Sequence, residues 1–300
     1  MPQVRANGIH LEYEAFGDPS HPALLLVMGL GGQMILWPDS FCHALAGAGY
    51  YVIRYDNRDV GLSAKMEHGG RPRLMRAAIR SFLRIPVKAP YTLDDMAKDA
   101  LGLLDALGIR QAHLAGVSMG GMIAQIVAAW FPERVLSLTL IMTTSGNPRL
   151  PRASLKLQLR LAHRPRLHDR EDIIRYSMET WRLIGSPEYP MSDKALRQKV
   201  ERSFDRSHYP RGLARQTLAI IVSGHRLKLL KRIAAPTLII HGEDDPLVPV
   251  AAAYELHKHI PGARLEIIPG MGHDMPAELL PKLSDLIAGN AAQVRSRAAA

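Results

Sequence analysis

Three hundred residues, 47% hydrophobic and 22% charged, can bury a large core and exclude an intrinsically disordered chain. The single cysteine, Cys42, excludes an intramolecular disulfide and suits a reducing compartment. The net charge of +10 raises nucleic acid or a membrane surface as a partner. However, the excess gathers between Arg149 and Arg232, where Arg152, Lys156, Arg160, Arg164, Arg166 and Arg170 recur as on a solvated helix face. With no aromatic–basic interleaving beside them, no nucleic-acid partner is expected.

The N-terminus lacks a basic stretch leading into an apolar one, so no signal peptide is expected. Every apolar run is far shorter than the roughly 20 residues of a membrane span, and a cytoplasmic protein is the expectation. Residues 3–7 and 9–16 flank Asn7-Gly8, the dipeptide of a tight hairpin turn. Residues 23–28 form a continuous apolar run, as a strand buried on both faces does. Residues 50–55, 113–117, 135–142, 236–241 and 264–268 read the same way. Helical periodicity covers 41–48, 93–107, 119–130, 251–259 and 277–288. This alternation predicts an α/β fold: a mostly parallel, doubly wound, eight-stranded sheet whose opening hairpin is an antiparallel edge.

Two stretches, 65–90 and 147–231, carry helical patterns, many basic residues and prolines, but no buried strand. The second predicts a helical cap over the substrate site, inserted between core segments 1–146 and 232–300. The plain alternative is a stabilising appendage.

Four motifs carry chemistry. Gly116-Val117-Ser118-Met119-Gly120-Gly121 joins a buried strand to a helix, the context a nucleophile elbow requires. The alternative reading of Ser118 is an ordinary helix N-cap. His241-Gly242-Glu243-Asp244-Asp245-Pro246 follows the next-to-last strand and supplies an acid, Asp245 in preference to Asp244, with His241 closing the strand. Gly270-Met271-Gly272-His273-Asp274 supplies the base His273, and the order Ser118, Asp245, His273 is that of serine hydrolases with this alternation. Asp274 is expected to be a supporting or solvent-facing residue. Met28-Gly29-Leu30-Gly31-Gly32-Gln33 follows the first buried strand; the N–H groups of Leu30 and Met119 would form an oxyanion hole. Gly29, Met34, Trp37 and Met122 are candidate substrate contacts around an apolar pocket. No metal and no cofactor is expected.

The segments LLLVMG (24–29), VIRYDNRDVGLS (52–63) and GVSMGG (116–121) make the chain resemble the α/β-hydrolase superfamily over nearly its whole length. More narrowly, it is similar to bacterial esterases of the aclacinomycin methylesterase-like group. That resemblance implies a capped core and cofactor-free hydrolysis of a small-molecule carboxylic ester through an acyl-enzyme on Ser118. Met28 stands where many relatives carry histidine before the glycine, and residues 54–59 are read as a structural loop beside the oxyanion loop. The same triad would also serve a lactonase, a carbon–carbon bond hydrolase or a cofactor-free perhydrolase. A hydrolase-like receptor that binds a small ligand without turnover is the non-enzyme alternative. The oligomeric state stays open.

Overall fold

A computed structural model describes residues 2–67, 74–83, 85–162 and 169–298. The opening hairpin, β1 (Gln3–Ala6) and β2 (Ile9–Phe16), turns at Asn7-Gly8, where φ is +48° and +81°, as a type I′ turn demands. Next come β3 (Ala23–Val27), β4 (Tyr51–Tyr55), β5 (Ala112–Val117), β6 (Val135–Ile141), β7 (Thr237–Gly242) and β8 (Arg264–Ile268). They form an eight-stranded sheet in the order β1-β2-β4-β3-β5-β6-β7-β8. Only the β1–β2 and β2–β4 pairs are antiparallel. Uninterrupted burial holds for β3 and β5 but not for β8, where Ile268 alone is buried, because this strand is the far edge of the sheet.

The helices in chain order are α1 (Asp39–Gly47), α2 (Leu74–Phe82), α3 (Leu93–Ala106) and α4 (Met119–Trp130). Between β6 and β7 lie α5 (Leu155–Ala162), α6 (Arg170–Ile184), α7 (Asp193–Arg206), α8 (Pro210–Ser223) and α9 (Leu227–Leu230); α10 (Ala251–His259) and α11 (Leu280–Ala298) follow. Successive strand residues point to opposite faces, so Leu25, Val27, Ile53 and Leu114 pack under α3, α4 and α10. Their neighbours Leu24, Leu26, Val52 and Ala115 pack under α1 and α11. The helix expected over 277–288 opens as a 3-10 turn and runs on to Ala298. Asn290 anchors the extension: it is buried, and its Nδ2 donates to the Leu138 carbonyl (2.9 Å) and to Thr139 Oγ1 (3.2 Å).

The helices between β6 and β7 have a small apolar core of their own, made by Ile174 and Met178 of α6 with Leu196 and Val200 of α7. Helix α8 buries Arg215, Gln216 and Leu218, and α2, from the 65–90 stretch, packs against it. Of the basic series, Arg152, Lys156 and Arg170 are exposed, while Arg160 and Arg170 pair with Glu179 (2.6 Å) and Asp205 (2.9 Å). Arg164 and Arg166 lie outside the described residues. Among those described, no helix is long and apolar enough to cross a membrane.

Candidate active site

Strand β5 ends by turning into α4 at Ser118, which is held at φ +53°, ψ −117°. A non-glycine residue in this region costs about 1–3 kcal/mol, and the surroundings enforce it. Ser118 N donates to the Ile141 carbonyl (2.9 Å), and its own carbonyl accepts from Met122 N (3.1 Å) and Thr143 Oγ1 (2.6 Å). The glycines are steric necessities: a Cβ on Gly116 would lie 2.4 Å from the Gly120 carbonyl oxygen, and one on Gly120 2.1 Å from that of Val27. The hydroxyl makes no capping bond to α4, which removes the plain N-cap reading.

The loops after β7 and β8 bring two side chains to that hydroxyl. His273 Nε2 lies 3.1 Å from Ser118 Oγ, and His273 Nδ1 lies 2.7 Å from Asp245 Oδ2. Asp245 Oδ1 accepts from the N–H groups of Leu247 (2.9 Å) and Val248 (2.8 Å), so the turn begun by Pro246 fixes the carboxylate. An ionised carboxylate on Nδ1 selects the tautomer with its proton there, leaving the Nε2 lone pair towards Ser118. Asp244 turns away, its Oδ2 accepting from Gly270 N (3.0 Å). His241 is fully buried; burial pushes its pKa down, and its Nε2 donates to the Val248 carbonyl (2.8 Å), steadying the turn that carries Asp245. Asp274 is buried, not solvent-facing: its Oδ1 accepts from Ser186 N (3.0 Å) and from the Ser186 hydroxyl, and burial raises its pKa.

The glycine-rich loop after β3 approaches from the other side. A Cβ on Gly29 would be 3.2 Å from Ser118 Cβ and 3.8 Å from Ser118 Oγ. The N–H groups of Leu30 and Met119 have no protein acceptor among the described residues. Residues 54–59 hold this loop from below: Asn57 Nδ2 donates to the Met28 carbonyl (2.9 Å), and Asp56 Oδ1 accepts from Met34 N (2.7 Å). From above, Gln216 Oε1 accepts from Gly31 N (2.8 Å), and Gln33 Nε2 donates to the carbonyls of Ser203 (2.6 Å) and Ser207 (3.0 Å). Gln216, Ser186 and the carbonyls of Ser203 and Ser207 carry no motif; the fold alone brings them to these loops.

The remaining candidates scatter. Met122 lies one turn into α4 with 7% of its surface exposed, and Leu30 is 37% exposed. Met34 and Trp37 have no exposed surface; Trp37 stacks on Phe41 at 5.6 Å in the core beneath α1. Pockets recruit apolar rings that keep a face open, so the reading of Met34 and Trp37 as direct contacts finds no support in their packing. Among the described residues, no group of three potential metal ligands gathers.

The α/β hydrolase fold family model matches residues 22–278. Rhodomycin D methylesterase DauP of Streptomyces sp. (strain C5) is 30% identical, covering 91% of this chain and 92% of its own. The 3-oxoadipate enol-lactonase 2 of Acinetobacter baylyi is 28% identical over 88% of this chain and 87% of its own. Among solved structures, a meta-cleavage product hydrolase from Pseudomonas fluorescens superposes with a TM-score of 0.76 at 20% identity, covering 98% of both chains. The chain therefore belongs to the α/β hydrolase fold family and resembles its aclacinomycin methylesterase-like esterases.

Proposed function

We propose that the protein is a serine hydrolase of small carboxylic esters, with Ser118 as nucleophile, His273 as base and Asp245 orienting the imidazole. The observation that carries this reading is the continuous contact from Asp245 Oδ2 through His273 to Ser118 Oγ, at 2.7 and 3.1 Å. Ser118 Oγ attacks the ester carbonyl carbon as its proton passes to His273 Nε2. The charge that develops on the carbonyl oxygen is met by the N–H groups of Leu30 and Met119, each worth roughly 3 kcal/mol in such sites. Collapse breaks the carbon–oxygen bond to the alcohol, which leaves with the proton from His273. Water then attacks the acyl-enzyme, giving its proton to His273, and the tetrahedral intermediate releases the acid as Ser118 recovers its proton.

The helices of 147–231 act as a cap over this site, their carbonyls and side chains bonded to both catalytic loops. Gly29 leaves room for the scissile carbonyl, and Met122 borders the acyl group. A lactone is an internal ester, so the similarity to an enol-lactonase supports lactone hydrolysis as a second reading. Methyl and p-nitrophenyl esters from acetate to palmitate, with a lactone panel alongside, test both. Turnover on esters that falls at least about 10⁴-fold in Ser118→Ala, with the melting temperature held, supports the proposal. A folded wild type that turns over neither class and does not react with a fluorophosphonate would instead favour the ligand-receptor reading.

A further inference from the structure

The cap carries a lysine whose ammonium makes no ion pair among the described residues. Lys199 lies on α7 between Leu196 and Val200, both buried in the cap's own core. Its ammonium stands 3.8 Å from the centre of the Trp181 ring on α6, and among the described residues it makes no hydrogen bond or ion pair. The arginines beside it on α7 do find acids: Arg197 binds Glu171 (2.5 Å), and Arg206 binds Asp56 (2.7 Å). Burial pushes the pKa of Lys199 down, with Asp274 opposing that shift.

Its place is fixed from two sides. Ser203, four residues on along α7, gives its carbonyl to Gln33 in the oxyanion loop (2.6 Å). Ile184, three residues beyond Trp181, gives its carbonyl to His273 N (2.7 Å). Lys199 and Trp181 therefore each stand within about one helical turn of a carbonyl bonded to a catalytic loop. The acid whose charge acts on it, Asp274, follows His273 directly, and its Oδ1 accepts from the Ser186 amide and hydroxyl. An ammonium that makes no ion pair and rests on an aromatic face is the chemistry that recognises a carboxylate.

We propose that Lys199, positioned by Trp181, binds a carboxylate on the substrate, so that the preferred esters are those carrying a free carboxylate remote from the scissile bond. This rests on the hydrolase reading above. The test compares monomethyl esters of dicarboxylic acids, succinate to sebacate, with uncharged methyl esters of matching length, in the wild type and in Lys199→Met. Expected is a wild-type preference of about tenfold or more in kcat/KM for the hemiester of one length, expressed in KM. In Lys199→Met that ratio should collapse towards one, with partial recovery in Lys199→Arg.

Binding of the same hemiesters to Ser118→Ala, followed by calorimetry with and without Lys199→Met, reads the site without turnover. Binding that Lys199→Met abolishes upholds the carboxylate site even if no ester is hydrolysed, in which case only the hydrolase reading falls. A wild type that hydrolyses esters without preferring any hemiester overturns the carboxylate site and leaves the hydrolase reading standing. A Lys199→Met enzyme that loses charged and uncharged esters alike gives the lysine a structural role and likewise overturns the proposal, as does hemiester binding that ignores Lys199.

Discussion

Gly29 and Ser118 meet across a gap that takes one more carbon only if a neighbour shifts. A methyl group at position 29 would sit 3.2 Å from both Ser118 Cβ and the Val117 carbonyl oxygen, so Gly29→Ala displaces the loop by a few tenths of an ångström. In the proposed mechanism Leu30 N–H is the next donor along, so the shift would fall on the developing oxyanion and less on the bound ester. Gly29→Ala should lower kcat by about 10–100-fold with KM little changed, less than the 10²–10³ lost when such a donor is removed outright. An unchanged kcat on the best ester would show that the loop takes up the methyl group without moving its N–H. At this scale the sequence was legible where geometry demands one residue type, as at Gly116, Gly120 and the strained Ser118. It was not legible at Lys199, although a lysine inside an apolar helical stripe is a sign of a buried charge that pattern reading can use.

Between elements, the seam joining the inserted helices to the core is ionic as well as apolar. Arg215 of α8 donates to both carboxylate oxygens of Asp59 (2.8 and 2.7 Å), and Tyr91 Oη donates to Asp59 Oδ2 (2.7 Å). Both charged partners are essentially unexposed, at 1% and 0%. The next residue on α8, Gln216, bonds to Gly31 of the glycine-rich loop after β3 and to the Arg58 carbonyl (2.8 Å each), so the same helix turn locks the seam and sets the loop. Removing one partner of a buried ion pair strands the other, which costs about 3–5 kcal/mol. Urea unfolding should therefore place Arg215→Met about that far below the wild type. The double variant with Asp59→Asn should lose less than the two singles together. Additive losses would mean that the pair does not act as a unit. The stretch 54–59 read as a structural loop from sequence; its partners on α7 and α8, some 150 residues away, could not be read there.

For the molecule as a whole, acid acts on these buried carboxylates in opposite directions. Burial disfavours ionisation of Asp59, but hydrogen bonds from Arg215, Tyr91 and the Met66 amide outweigh it, and its pKa lies below the ordinary value. A group lowered in the folded state contributes stability that is complete above the unfolded value of about 3.9 and is lost as pH falls through the folded one. Asp99 and Asp274 are raised, burial being the largest cause. Their protonation as pH falls through those raised values favours the folded state. The melting temperature should therefore hold or rise slightly from neutral pH towards pH 4 and drop below it, with the growing positive charge adding repulsion to the net +10. Asp59→Asn should melt lower at pH 7 and show a shallower drop below pH 4. An identical acid limb in the variant would place the loss on other groups.

Strand and helix alternation and the strained turn at Ser118 were determined by the sequence alone, because each depends on local sterics or on periodicity within one element. Tertiary structure decided the rest. It placed Asp245, not Asp244, against His273, because two adjacent carboxylates in one turn differ only in the direction the turn gives them. It took Trp37 into the core, because an apolar residue near the elbow satisfies core and pocket equally well until neighbours surround it. It also set Lys199 on Trp181 and bonded the end of α6 to the histidine loop, since contacts between segments some ninety residues apart are set by packing that no local pattern encodes.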